Sequence, residues 1–231
     1  MRIGVFSDLH LAPGPTNRCT ASTGELVKLC ERLADECDRV IVAGDLFDLD
    51  RPRRPGDWRG QWRAIRGEYA ELVERLEDFD WLYGNHDYQL QIERVPEERE
   101  VVSGGLKALF LHGHQWDMLL KKVVGVPQAA NFVAGWLQRA ELDRIARVFQ
   151  EAPWVVERVL GELRAGDDFT DRGTRGAASL LADGWDMVVA GHSHILRLVP
   201  MADGLYVNTG SMCEGSVDWA IIDVEQRRAE A

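Results

Sequence analysis

Four cysteines occur in 231 residues, and no two of them stand as C-x-x-C. Cys19, Cys30, Cys37 and Cys213 therefore form neither a thiolate zinc motif nor a dithiol redox pair, and they read as small apolar core residues. Cys30 and Cys37 are seven apart, on one face of an expected helix. No apolar run reaches the roughly 20 residues that a membrane-spanning helix needs. The most apolar stretch, VVGVPQAANFVAGWLQ, is interrupted by Pro127, Gln128 and Asn131. The N-terminal MRIGVFSDLHL puts Asp8 after a very short apolar run, which is not the shape of a secretory signal. Basic charge is in deficit: 27 Lys and Arg against 38 Asp and Glu give a net charge of -11. That balance argues against bulk affinity for nucleic acid or anionic membranes. Internal repeats and low-complexity tracts are absent as well. The expectation is a soluble, cytoplasmic chain folding as a single domain over 1–231, with no transmembrane segment.

What is present is a series of short β-rich runs, each ending in a polar turn. RIGVF ends in Ser7-Asp8, RVIVA in Gly44-Asp45, FDWLY in Gly84-Asn85, LKALFL in His112-Gly113 and WDMVVA in Gly191-His192. Near-continuous apolar runs of this length suit strands buried on both faces. Helical patterns lie between several of them. The first, over 23–37, opens with Ser22 and Glu25 at capping-box spacing. Strand–helix alternation implies an α/β sheet with parallel pairs. From about 118 to 183 the pattern is largely helical, with 141–166 as its longest stretch, and reads as an inserted cap. After Ile195, ILRLVP, LYVNTGS and DWAIIDVE resemble sequential antiparallel strands. Together these features predict an α/β sandwich of two sheets with flanking helices and a helical insertion.

The polar residues fall in a pattern. The strand ends deliver Asp8 and His10; Asp45, with Asp48 beyond; Asn85, His86 and Asp87; His112 and His114; and His192 and His194. All six histidines of the chain follow expected strands. A single Asp or His in such a place is usually a helix cap or a hydrogen-bonded loop residue. The whole set together points to one centre, because carboxyl ends of parallel strands line one edge of a sheet. Aspartate, asparagine and imidazole are hard and borderline donors, which suit Mn, Fe or Zn better than Ca. The donors are too many for one tetrahedral site. In an extended DLH or HSH segment alternate residues share a side, so Asp8 with His10, and His192 with His194, are expected to grip one cluster.

DLH, GDLFD, GNHD, HGH and GHSH, in this order, resemble the calcineurin-like metallophosphoesterases, over a span from Asp8 to His194. The resemblance implies a four-layer α/β/β/α sandwich and two divalent or trivalent transition metal ions, Mn foremost, with Fe, Zn, Ni or Co as the other usual occupants. It implies that Asp8, His10 and His194 hold one metal, that Asn85, His112 and His192 hold the other, and that Asp45 bridges both. It also implies a phosphoester hydrolase in which a metal-bridging hydroxide attacks phosphorus in line, with His86 as general acid oriented by Asp87. His114 fits none of the ligand roles and is expected to touch substrate or to orient a ligand. Within the superfamily, SDLHL, GDLFD, the helical stretch after HGHQWD, and YVNTGS resemble the UDP-2,3-diacylglucosamine hydrolase branch. That branch has GNRD and HGD where this chain has GNHD and HGH, so the fold and metal site carry over and the lipid substrate does not.

Two further stretches bear on substrate. The span 48–68 packs Arg51, Arg53, Arg54, Arg59, Arg63 and Arg66 with Trp58 and Trp62. Most of it reads as a solvated helix face, with Arg51, Arg53 and Arg54 as candidate phosphate contacts. The insertion reads as a lid, a lipid-binding groove allowing peripheral membrane contact, a homodimer surface, or plain packed core. The expected substrate is a phosphorylated small molecule or a nucleotide-linked compound. A pyrophosphate hydrolase of the UDP-2,3-diacylglucosamine type is the alternative. A nuclease or a catalytically silent scaffold fits the sequence less well, because the acidic charge disfavours the first and the complete ligand set disfavours the second.

Overall fold

The computed structural model describes residues 1–117, 126–142, 144–146, 169–213 and 215–231. Two five-stranded sheets lie face to face. In the first, β1 (Arg2–Phe6), β2 (Arg39–Ala43) and β3 (Asp80–Leu82) run parallel. Antiparallel β9 (Ala220–Asp223) and β10 (Arg228–Glu230) extend that sheet on the β1 side. In the second, β5 (Leu106–Leu111), β6 (Met187–Ala190) and β8 (Gly204–Thr209) run parallel. Its edges are antiparallel β4 (Glu98–Ser103) and β7 (Leu196–Met201).

Period-two alternation in apolar strands builds the layers. In β1, Ile3 and Val5 face the second sheet, while Phe6 faces outward to helices. In β2, Ile41 and Ala43 join the inter-sheet core, and Val40 and Val42 join the outer one. In β5 and β6, Phe110 and Val189 point between the sheets, whereas Leu111 and Val188 point away. Strands apolar on both faces must be covered on both faces. The first sheet is covered by α1 (Thr23–Glu36), α2 (Trp58–Glu68) and α3 (Ala70–Leu76), through Leu33, Ile65, Leu72 and Leu76. The α1 start is a capping box: Ser22 Oγ accepts from Glu25 N at 3.3 Å, and Ser22 N donates to the Glu25 carboxylate at 2.8 Å. The second sheet is covered by a helix over Phe169–Ala182, whose Ala177 and Leu181 pack on β6 and β8. The layers are thus the expected α/β/β/α sandwich.

Two expectations need correction, and one falls mostly on residues not described. The helix over Phe169–Ala182 belongs to the sandwich as its fourth layer, not to a cap, so the 118–183 boundary is too wide. The expected helix over 141–166 lies largely outside the described residues. The last three strands are not one antiparallel run: β7 pairs with β8, but β9 crosses to the other sheet and pairs with β1. Before the 169–182 helix, the insertion contributes α4 (Val126–Arg139), which packs on 14–16 and on the loop after β2. The 169–182 helix is α5 below. Among the described residues, no helix is long and apolar enough to cross a membrane.

Candidate metal centre

The carboxyl ends of β1, β2, β3, β5 and β6 meet at one edge of the sandwich. Their loops continue the strand pairing by backbone hydrogen bonds: Asp8 N donates to Gly44 O at 3.1 Å, His10 N to Asp45 O at 3.0 Å, and Gly191 N to His112 O at 2.9 Å. The loops are not extended, however. Among the described residues eight non-glycine residues have positive φ, and five of them are Asp8, His10, Asp45, His192 and His194, at φ between 50° and 70°. Left-handed backbone, rather than strand alternation, turns Asp8 with His10, and His192 with His194, toward a common point. Such conformations cost energy in non-glycine residues and persist where surrounding structure enforces them, often at functional sites. Gly44 and Gly84 leave the necessary room. A Cβ on Gly44, itself at φ +90°, would lie 2.7 Å from the His112 ring, and one on Gly84 would strike the Asp45 carboxylate.

The side chains converge in two overlapping groups. Asp8, His10 and Asp45 each offer a ligand atom within 4.8 Å of the others, and so do Asp45, His112 and His192. Asp45 belongs to both. His194 Nε2 lies 3.2 Å from Asp8 Oδ1 and 3.3 Å from His10 Nε2, which adds it to the first group. His112 Nε2 lies 3.2 Å from Asp45 Oδ2. Asn85 follows Gly84 in the same turn, where His86 N donates to Asp45 Oδ1 at 2.7 Å. Asp8 Oδ1, Asn85 Oδ1 and His112 Nε2 are buried without a hydrogen-bond partner. Orphaned buried acceptors of this kind are costly unless something satisfies them.

The neighbours of the cluster fix its tautomers and charge. His112 Nδ1 donates to Ala43 O at 2.9 Å, and His10 Nδ1 donates to Asp48 at 2.7 Å. Both rings therefore turn Nε2 inward, the arrangement by which second partners orient ligating histidines. Asp48 is fully buried and also accepts from Arg18 Nε at 3.2 Å. Burial alone would raise its carboxyl, but Arg18, Arg51 and His10 outweigh that and hold Asp48 well below the usual range. Asp8 is also held well below it, burial again being outweighed, here by His112 and His194. Burial disfavours the His112 imidazolium, yet Asp45 and Asp8 raise it to about 9. This is a strongly anionic pocket, with the Arg18 and Arg51 guanidinium groups and the imidazoles as positive partners of its carboxylates.

His86 also reaches the cluster, its ring centroid 4.7 Å from that of His10. Asp87 does not face it. The Asp87 carboxylate accepts from Leu46 N at 2.8 Å, Phe47 N at 3.3 Å and Gly84 N at 2.7 Å, so it ties the β2 and β3 loops together. The carboxylates beside His86 Nδ1 are Asp50, at 3.0 Å, and Asp48, at 3.4 Å. His114 sits against the rings of His112 and His192, with centroids 5.5 and 6.5 Å away, and its Nε2 is 3.4 Å from Glu97. Burial, helped by His112 and His192, pushes it down to about 3, so it is a neutral ring packed on the histidine cluster.

Arg51 is 1% exposed and lies 3.4 Å from Asp48, with Nη1 donating to Gln138 at 3.2 Å. It ties α4 to the site and is not presented to solvent, whereas Arg53 and Arg54 are exposed. Sequence reasoning passed over Asp50, Arg18 and Cys213. Cys213 Sγ lies 3.5 Å from His194 Nδ1 and shares a potential ligand group with His10 and His194. Asp50 had one available signal, its two-residue offset from Asp48 in GDLFDLD.

Residues 1–196 match the family described as Calcineurin-like phosphoesterase. The chain belongs to that family. It is a metal-dependent phosphoester hydrolase. No curated protein matches the chain. Among solved structures, it is similar to a novel archaeal phosphodiesterase at 17% identity and TM-score 0.47, with 100% of this chain and 98% of that one covered. It is similar to Yfce, a phosphoesterase from E. coli, at 13% identity and TM-score 0.48, covering 100% and 97%. Vps29 of Entamoeba histolytica, complexed with zinc, matches at 14% and TM-score 0.48, covering 99% and 89%. The family assignment rests on the sequence match and not on these likenesses. The donor set fits the family's cations: hard carboxylate and amide oxygens with borderline imidazoles, three of the atoms buried and unpartnered.

Proposed function

We propose that this phosphoesterase hydrolyses phosphorylated small molecules or nucleotide-linked phosphates at a centre for two transition metal ions, Mn foremost. Asp8, His10 and His194 would hold one ion; Asn85, His112 and His192 the other; and Asp45 both. The observation that supports this reading is that six of these donors, from four strand ends, fall in overlapping groups joined through Asp45 and His10, five of the six on left-handed backbone. Bound there, the cations would activate water near neutral pH and neutralise charge on the phosphoryl oxygens.

The chain's own groups do the rest. Asp48 and the Ala43 carbonyl lock the His10 and His112 rings with Nε2 inward. His86 is the general acid that gives its proton to the departing oxygen. Burial disfavours its imidazolium, but Asp50 and Asp45 outweigh that and raise His86 above its ordinary value, which favours the proton-carrying form. Asp50 rather than Asp87 stands beside His86 Nδ1 and orients the ring. A cytoplasmic place belongs to the same reading and is supported by the four free thiols.

The test is metal analysis after Mn loading, followed by assay on p-nitrophenyl phosphate, its bis ester, UDP-sugars and cyclic nucleotides. Failure to retain any transition metal would sink the two-cation centre. Full activity of His86→Ala on every leaving group would remove the general acid.

A further inference from the structure

The Arg-rich stretch that follows Asp50 resolves into two kinds of residue. Its tryptophans turn inward or are already covered. Trp62 packs on Phe47 with centroids 4.5 Å apart, and the Arg59 guanidinium lies 4.3 Å over Trp58. Arg53 and Arg54 instead face a cleft of about 750 Å³, roofed by Trp136 and Arg139 of α4. That volume lies within the range of small-molecule sites, roughly 300–1,000 Å³.

The cleft gathers positive charge on a chain of net charge -11. Among the described residues neither Arg53 nor Arg54 has a side-chain hydrogen bond or ion pair. Arg139 Nη2 donates to Arg51 O at 2.6 Å, but its Nη1 is buried with no hydrogen-bond partner. Burial first, then the Arg53 and Arg51 charges, push the Arg139 guanidinium below its ordinary value, as expected of crowded like charges. Among the described residues, the one acid lining the cleft is Asp57, which is engaged as the α2 cap and accepts from Gly60 N at 2.9 Å. Guanidinium forks gathered in this way suit a phosphate group. Trp136, 59% exposed, offers an aromatic face on the same wall.

We propose that this cleft binds a phosphate group through Arg53, Arg54 and Arg139, with the flat or apolar body that carries the phosphate lying on Trp136. It is a binding site separate from the metal ligands, though it shares a wall with them. Gln61, in its lining, donates to Asp48 O at 3.1 Å. The ligand class is a phosphate ester on a ring or an acyl body, and a free nucleotide or a phospholipid headgroup would satisfy it equally.

Calorimetric titration of the Mn-loaded full chain with α,β-methylene-UDP, pyrophosphate and uridine tests the first source. Sedimentation with phosphatidylcholine vesicles, with and without phosphatidic acid, tests the second. At least one phosphate-bearing probe should bind, and uridine should not. Arg53→Gln with Arg54→Gln, both at exposed positions, should weaken that binding by about tenfold or more, while Asp8→Asn at the metal centre should leave it within about twofold. Trp136→Ala should weaken a probe with a ring or acyl body and spare pyrophosphate. Binding that survives the arginine changes, disappears with Asp8→Asn, or is absent for every probe overturns the proposal. Because the readout is binding, a failure of hydrolysis leaves this outcome readable.

Discussion

Gly44 and His112 are so close that a methyl group on the first would lie 2.7 Å from the ring of the second. Gly44 also has φ +90°, a backbone state that costs a non-glycine residue about 1–2 kcal/mol. Gly44→Ala should therefore lower the melting temperature and also displace His112 from its bond to Ala43 O. The expected result is a folded chain with reduced Mn content, and metal analysis beside a thermal melt checks it. Wild-type Mn content in this variant would show that His112 is not a ligand.

Asp50→Asn removes charge from the group 3.0 Å from His86 Nδ1 while keeping its shape. If Asp50 holds the proton donor in place, kcat on an alkyl phosphate should fall by about tenfold to a hundredfold. With p-nitrophenyl phosphate, whose leaving group needs little help, kcat should fall much less, and KM should move little for either. Equal losses on both substrates would mean that the change damages the fold or the cation site instead.

Cation binding should stabilise the native chain alone, since the donors come from strand ends far apart in sequence. A cation present at a hundred times its Kd adds about 2.7 kcal/mol. Chelation should lower the melting temperature by several degrees, and added Mn should restore it. Asp45→Ala, which removes the donor common to both groups, should abolish the Mn response.

Thiol reactivity gives a pH prediction away from the site. Burial pushes the Cys30 thiol up to about 12 and, as the largest effect, the Cys19 thiol up to about 11. A raised pKa keeps a thiol protonated until pH approaches that value, so at pH 8 both are almost wholly unreactive thiols. Iodoacetamide at pH 8 should leave Cys19 and Cys30 unmodified in the native chain and alkylate them in urea. Peptide mass analysis reads the difference.

Much of this fold is legible because buried parallel strands announce themselves as apolar runs. RIGVF and RVIVA coincide with β1 and β2, and LKALFL with β5. β4 is an edge strand, half of it charged, with only Val101 buried, and β10 is three residues at the other sheet's edge, so neither carries such a signal. Nor does a strand's own pattern name its partner, which is why β9 is legible as a strand but not as a neighbour of β1. In the site, residue types and order could be read, but the backbone that aims them could not. Extended alternation is the default for such segments, although Asp and His are among the residues that enter the left-handed region most readily. The carboxylate beside His86 was not legible either: the family resemblance implied Asp87, whereas the chain path brings Asp50 within 3.0 Å of His86 Nδ1.

Asp8, His10, Asp45 and Asn85 hang from one sheet, and His112, His192 and His194 from the other. A cation held between the two sets would be a rivet through both plates of the sandwich. How firmly it is held then depends on how well the plates lie together. The apolar layer between them, with Ile3, Ile41, Phe110 and Ile222, becomes part of what sets the rate of metal loss. Substitutions at Ile3 or Ile222, which touch no ligand, would be felt at the site as a leak.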